Sequence, residues 1–122
     1  MEMTSILRIA KALSHETRLR ALLALRDGEL CLCHLVPLLK LAPSTVSKHM
    51  DLLCWAGLVK RRKRGRWCHF RLAERHAPPA VRGALRWVLG ALADDGTIGR
   101  DAHRVASLRH KHPRELAACY RS

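Results

Sequence analysis

The stretch Leu41-Ala42-Pro43-Ser44-Thr45-Val46-Ser47-Lys48-His49-Met50-Asp51-Leu52-Leu53-Cys54-Trp55-Ala56-Gly57 decides how this chain folds. Leu41-Ala42 makes a tight turn. Pro43 suits the first position of a helix, where its fixed φ is pre-set and its missing N–H would have had no partner. The helix then runs from Ser44 to Trp55, and Gly57 ends it. Val46, Met50 and Leu53 share one face and pack inward. That leaves Ser44, Thr45, Ser47, Lys48 and His49 pointing outward. Ala42 stands where a capping hydroxyl is expected, and its absence costs roughly 1 kcal/mol of helix stability.

Working upstream, a helix of about Leu30 to Leu39 precedes the turn, with Pro37 inside it to shorten or kink it. Before that, His15 to Arg26 forms a helix carrying Leu19, Leu22, Leu23 and Leu25. Ser14 is its expected N-cap, Glu16 lies in its first turn, and Asp27-Gly28 stops it. Residues 4–13 form another, with Ile6, Ile9, Ala10 and Leu13 on one stripe. Downstream the period changes. Leu58 to Arg62 reads as a strand and Arg64-Gly65-Arg66 as a turn. Trp67 to Leu72 alternates, with Cys68, Phe70 and Leu72 on one side. Pro78-Pro79 opens a last long helix, Ala80 to Ala93, whose stripe is Val81, Leu85, Val88, Leu89 and Leu92. Asp94-Asp95-Gly96 breaks it. One more short helix is expected between Ile98 and Pro113, polar enough to sit at the surface. The expected organisation is a domain of residues 1–96 followed by a C-terminal extension, 97–122.

Two short helices joined by a tight turn and followed by a β-hairpin make a winged helix-turn-helix, mainly α with a small β wing. The charge fits. Of 122 residues, 23 are Lys or Arg against 10 Asp or Glu, a formal net charge of +13. From Lys60 to Arg66, six of seven residues are basic, with no acidic partners interleaved. Such an excess calls for a polyanionic partner. A helix fits the major groove, and its outward polar residues reach base edges. The residues expected to meet DNA are therefore Ser44, Thr45, Ser47, Lys48 and His49 on the helix, and Arg62, Lys63, Arg64 and Arg66 on the hairpin. A membrane partner is not expected: the longest apolar run, Trp87 to Ala93, is too short to span a bilayer. The N-terminus has no signal-peptide character, so the expected location is the cytoplasm. No Gly-rich phosphate loop, paired-carboxylate motif or nucleophile elbow suggests an enzyme.

The segments Ala12-Leu13-Ser14-His15-Glu16-Thr17-Arg18-Leu19-Arg20, Gly28-Glu29-Leu30-Cys31-Leu32-Cys33, Ser44-Thr45-Val46-Ser47-Lys48-His49 and Ala56-Gly57-Leu58-Val59, with Gly65-Arg66-Trp67, resemble the ArsR/SmtB family of bacterial metal-responsive repressors. The resemblance covers roughly residues 5 to 92. It implies a homodimer built from residues 4–13 and 80–93, whose apolar stripes independently ask for a partner. It also implies an inverted-repeat operator with recognition helices about one DNA turn apart, and repression that ends when an effector binds.

Cys31-Leu32-Cys33 resembles the arsenic-sensing subgroup, in which such thiols bind As(III). Thiolates suit soft ions such as As(III) or Sb(III), and a helix N-terminus is expected to lower the thiol pKa. Residues two apart on an ideal helix point roughly 200° apart, so both sulfurs meet one ion only if that turn is non-helical or unwinds. Many arsenic sensors carry a third cysteine three residues later, where this chain has Val36; Cys119 is the candidate third ligand. Cys54 and Cys68 read as packed residues. Asp101-x-His103 with His112-x-x-Glu115 resembles a zinc pattern but lies beyond the expected dimer helix. Two other functions fit the same residues: a thiol-based redox or persulfide-responsive repressor, and an architectural DNA-binding protein with no ligand.

Overall fold

A computed structural model describes residues 1–112 and Leu116. Six α-helices and three strands follow in the order α1 (Met3–Leu13), α2 (Glu16–Ala24), β1 (Leu30–Cys31), α3 (Leu32–Leu39), α4 (Pro43–Trp55), β2 (Val59–Arg64), β3 (Trp67–Leu72), α5 (Pro79–Ala91) and α6 (Gly96–Arg109). A 3-10 turn, Leu25–Asp27, ends α2. The strands form an antiparallel sheet in the order β1-β3-β2. This is a winged helix-turn-helix.

The core sits between α2, α3 and α4. Leu22, Leu35, Val46, Met50 and Leu53 have no exposed surface at all, and Leu58, Val59 and Phe70 close the core at the base of the wing. The helix α1 contributes Ile9 and Ala12 to the core, and α5 contributes Val81, Leu85 and Val88. Their other faces stay open: Met3, Ile6, Leu7 and Trp87 are exposed apolar side chains.

Three local outcomes differ from expectation. The imidazole of His15, not Ser14, caps α2, its Nδ1 accepting from the Thr17 N–H at 3.1 Å. Ser14 instead closes α1, its hydroxyl donating to the Lys11 carbonyl at 2.8 Å. Leu30 and Cys31 are strand, not helix, because their backbones pair with Phe70 and His69 of β3.

The third difference is α6. Its expected surface position gives way to a packed one: Ile98, Val105 and Leu108 are buried, and so is Asp101. Asp95 caps the helix, its carboxylate accepting from the Ile98 N–H at 3.1 Å. The Asp101 carboxylate takes two hydrogen bonds from Arg20, from Nε at 2.8 Å and Nη2 at 2.9 Å. A buried charge is tolerable only when so paired. Arg20 also donates to the Leu38 carbonyl at 3.4 Å, and Arg104 donates to the Pro37 carbonyl at 3.1 Å. These are orphan carbonyls at the end of α3, so α6 and α2 together close that helix. Arg20→Leu should therefore lower unfolding stability by about 2–3 kcal/mol in urea denaturation, because it strands the Asp101 carboxylate; the loss stays below that of a fully buried pair because Arg20 is partly exposed. A change under about 0.5 kcal/mol would mean the pair is not structural.

Candidate functional site

The turn between α3 and α4 is made by Lys40, Leu41 and Ala42. Lys40 adopts a left-handed conformation, φ 55°, and its N–H donates to the Val36 carbonyl at 2.9 Å. That conformation is uncommon for a side-chain-bearing residue. It terminates α3 and lets α4 start three residues later. Ala42 makes no side-chain cap, and Pro43 opens the helix. Val46, Met50 and Leu53 face the core. Ser44, Thr45 and Lys48 are exposed, whereas Ser47 and His49 are half-buried. The inward Nδ1 of His49 lies 3.0 Å from Nη1 of the buried Arg18.

The wing is the β2–β3 hairpin, closed by a two-residue loop at Gly65-Arg66. Gly65 has φ 58°, as the first central residue of a tight hairpin turn requires. The sheet register puts Arg61 opposite Phe70 and Lys63 opposite Cys68. On that face Arg61 forms an ion pair with Asp51 of α4 and lies over the Phe70 ring at 5.4 Å. The wing is thereby clasped to the outer side of the recognition helix. On the other face Arg62 pairs with Glu29 at 2.7 Å, and His69 Nδ1 is 3.4 Å from the same carboxylate. Arg62, Lys63, Arg64 and Arg66 are all exposed; Arg62 reaches DNA only by sharing or leaving Glu29.

Cys31 is not inside a helix. It is the N-cap of α3, with extended backbone at φ −75°, ψ 155°. Cys31 and Cys33 pack together in a small buried cluster with Leu32, Trp67 and Leu116, each sulfur-bearing residue about 1% exposed. Cys31 thus stands just outside the helix, while Cys33 lies in its first turn. Burial pushes the Cys31 thiol pKa up, and the backbone N–H groups of Cys33, Leu32 and Cys68 only partly oppose it. The expected acidic thiol is therefore corrected: desolvation outweighs the helix end. His34 completes a capping box with Cys31, its Nδ1 accepting from the Cys31 N–H at 3.1 Å. Its Nε2 donates to the Lys111 carbonyl at 3.1 Å, which ties the segment after α6 to the thiol turn. Cys119 lies outside the described residues.

Cys54 and Cys68 are free, half-buried and packed against the main core. Asp101 is engaged by Arg20, which removes it from the Asp-His-His-Glu pattern, and Glu115 of that pattern lies outside the described residues. Sequence reasoning missed Arg18, Asp51, Glu29 and His34. Each is a polar residue with a partner outside its own element, so no periodicity marks it.

Residues 15–61, from the start of α2 into the wing, match the family model described as "Bacterial regulatory protein, arsR family". Over 112 residues the chain is 34% identical to the arsenic resistance transcriptional regulator ArsR1 of Pseudomonas putida, covering 91% of this chain and 84% of that one. The chain belongs to the ArsR family. Among solved structures, this ArsR-family fold resembles HlyU from Vibrio cholerae, with a TM-score of 0.64 and 27% identity over 77% of this chain and all of that one. It also resembles the homodimeric winged helix-turn-helix domain of Mb0332 from Mycobacterium bovis, with a TM-score of 0.60 and 24% identity, covering 90% of this chain and 89% of that one. As an ArsR-family member the chain is a DNA-binding transcriptional regulator. No helix among the described residues is long and apolar enough to cross a membrane.

Two outcomes follow for this ArsR-family chain. Lys63→Ala and Arg64→Ala should each weaken binding to all DNA sequences alike and flatten the plot of log affinity against log salt by about 0.9 per lost phosphate contact. Arg62→Ala should flatten it less, because Glu29 already holds that guanidinium. Slopes unchanged from wild type in all three would place the DNA contacts elsewhere. The second outcome concerns pH. Burial lowers the pKa values of His34, His49 and His69 below the ordinary 6.5. As pH falls through 6.5 the unfolded chain takes up protons that the folded chain refuses. Stability should therefore be full above that value and decline below it. Denaturation at about pH 8 and about pH 5.5 reads this; equal midpoints would contradict it.

Proposed function

We propose that this chain is a homodimeric cytoplasmic repressor that binds an inverted-repeat operator and is released when As(III) or Sb(III) binds Cys31, Cys33 and Cys119. Ser44, Thr45, Ser47, Lys48 and His49 enter the major groove, and Arg62, Lys63, Arg64 and Arg66 hold the flanking backbone. The observation that carries the reading is the position of Cys31. Its backbone pairs with the wing strand β3, and its next residue begins the helix that supports α4. A ligand drawing Cys31 and Cys33 to one centre pulls on both DNA-contacting elements at once.

The thiol chemistry favours arsenite over a divalent cation. Divalent ions need thiolates, and a buried thiol with a raised pKa resists giving up its proton. Arsenous acid is neutral. Cys33 is disulfide-bonded in this structure, so a cellular dithiol reductant must first return it to a thiol; each As–OH then condenses with a thiol to give an As–S bond and one water, and no net charge is buried. For the third sulfur, Leu116 lies against the Cys31/Cys33 cluster. Cys119 is three residues further on, and three residues span at most about 10–11 Å. Dimerisation is supported by the exposed apolar side chains of α1 and α5 and by the homodimeric state of the structurally similar Mb0332 domain.

The test is fluorescence anisotropy on labelled DNA from upstream of the protein's own gene, titrated with arsenite under reducing conditions. Release near stoichiometric arsenite is expected, and a Cys31/Cys33 double serine variant should bind the DNA normally but fail to release it. Arsenite-induced release that survives the double substitution would sink the thiol assignment. Release by an oxidant or persulfide alone, with arsenite inert, would replace the inducer with a redox signal.

A further inference from the structure

Arg18 is 7% exposed, yet no carboxylate pairs with it among the described residues. Its guanidinium is spent on three other partners. Nε donates to the Ala12 carbonyl at 2.9 Å and Nη2 to the Lys11 carbonyl at 3.0 Å, both in the last turn of α1, where the Lys11 carbonyl also accepts from Ser14. Nη1 meets His49 Nδ1 at 3.0 Å. Arginine has donors only. Nδ1 of His49 must therefore present a lone pair, and the ring proton sits on Nε2. A second contact fixes the ring plane: the His15 imidazole packs on it, with centroids 4.6 Å apart and a 48° tilt. His15 is itself held by the Thr17 N–H.

We propose that Arg18 is a positioning residue that locks His49 as a neutral Nε2–H donor, so that this position of the recognition helix reads a hydrogen-bond acceptor on DNA. The inference deepens the proposed operator contact at His49 and rests on it. Purine N7, guanine O6 and thymine O4 offer such acceptors in the major groove, while the cytosine amino group offers only a donor and is disfavoured. Protonation of His49 would set an N–H against the guanidinium, and burial, His15 and Arg18 all oppose it. The same guanidinium closes α1, so the reading head is referenced to the helix whose outer face carries Met3, Ile6 and Leu7. A shift of α1 therefore reaches His49 through one side chain.

The test has two arms on the full-length chain. Long-range proton–nitrogen NMR of the free protein near neutral pH reports the tautomer of each histidine. The expected pattern for His49 is an unprotonated Nδ1 and a protonated Nε2, with Arg18→Lys moving it toward a mixture. A wild-type Nδ1–H tautomer would overturn the proposal whatever the DNA result. In the second arm, affinities are measured for a duplex footprinted upstream of the protein's own gene and for a shuffled duplex of equal composition. His49→Leu should cut the ratio of the two affinities by about 5- to 100-fold, the value of one base contact, with little effect on the shuffled duplex. His49→Gln, whose amide nitrogen takes up the position of Nε2, should retain most of it. A ratio unchanged in His49→Leu would overturn the proposal. Wild-type protein that already fails to prefer its own duplex would overturn the operator reading instead, and the tautomer arm separates the two failures. His49 variants leave the Arg18–carbonyl bonds in place, so they stay informative if Arg18→Lys does not fold.

Discussion

The helix α3 has almost no face of its own. Six of its eight residues are buried, and a helix that is apolar all round is held by its surroundings on every side. Its neighbours are α2, α4, α6 and the two strands β1 and β3. Neither end is self-sufficient. Pro37 cannot donate to the Cys33 carbonyl one turn earlier. The last carbonyls are taken by Arg20, Arg104 and the left-handed Lys40, and the first turn is closed by Cys31 and His34. Only three residues separate the end of α3 from the start of the recognition helix. Its aim is therefore set by how α3 lies, and α3 lies where its two ends are tied. Cys31 and Cys33 sit in one of those ties.

The charge of the molecule is organised around the same frame. Three of the ten acidic residues anchor cations that position elements: Asp101 on Arg20, Asp51 on Arg61 and Glu29 on Arg62. Each fixes a cation that positions an element. Lys63 and Arg64 on the wing and Lys48 on α4 remain exposed. A net charge of +13 steers polyanions toward the protein, and steering of this kind weakens steeply with salt.

Much of this was legible in the sequence. The inward face of α4, the hairpin with its Gly65 turn, and α5 opened by the proline pair were marked by periodicity and by residues with few backbone choices. What escaped shares one physical feature: a polar or very short element stabilised at long range. A two-residue strand has no period to detect, so Leu30 and Cys31 read as the start of a helix. The buried face of α6 includes Asp101, which looks like solvent-facing polarity until Arg20, 81 positions away, neutralises it. The partners of Arg18, two carbonyls of α1 and His49, come together only in the fold. The Cys31 thiol illustrates the opposite error. A local rule, the helix end, pointed to an acidic thiol, and burial, visible only in three dimensions, reversed the sign.

The central claim is mechanical: chemistry at the thiol turn loosens the helix on which the recognition helix rests. Amide hydrogen exchange across residues 32–39 and 43–55, with and without one equivalent of arsenite, tests it most directly. Loss of protection that begins at Leu32–Leu35 and extends into α4 is the predicted result. Stoichiometric arsenite binding that leaves both helices as protected as before would contradict it.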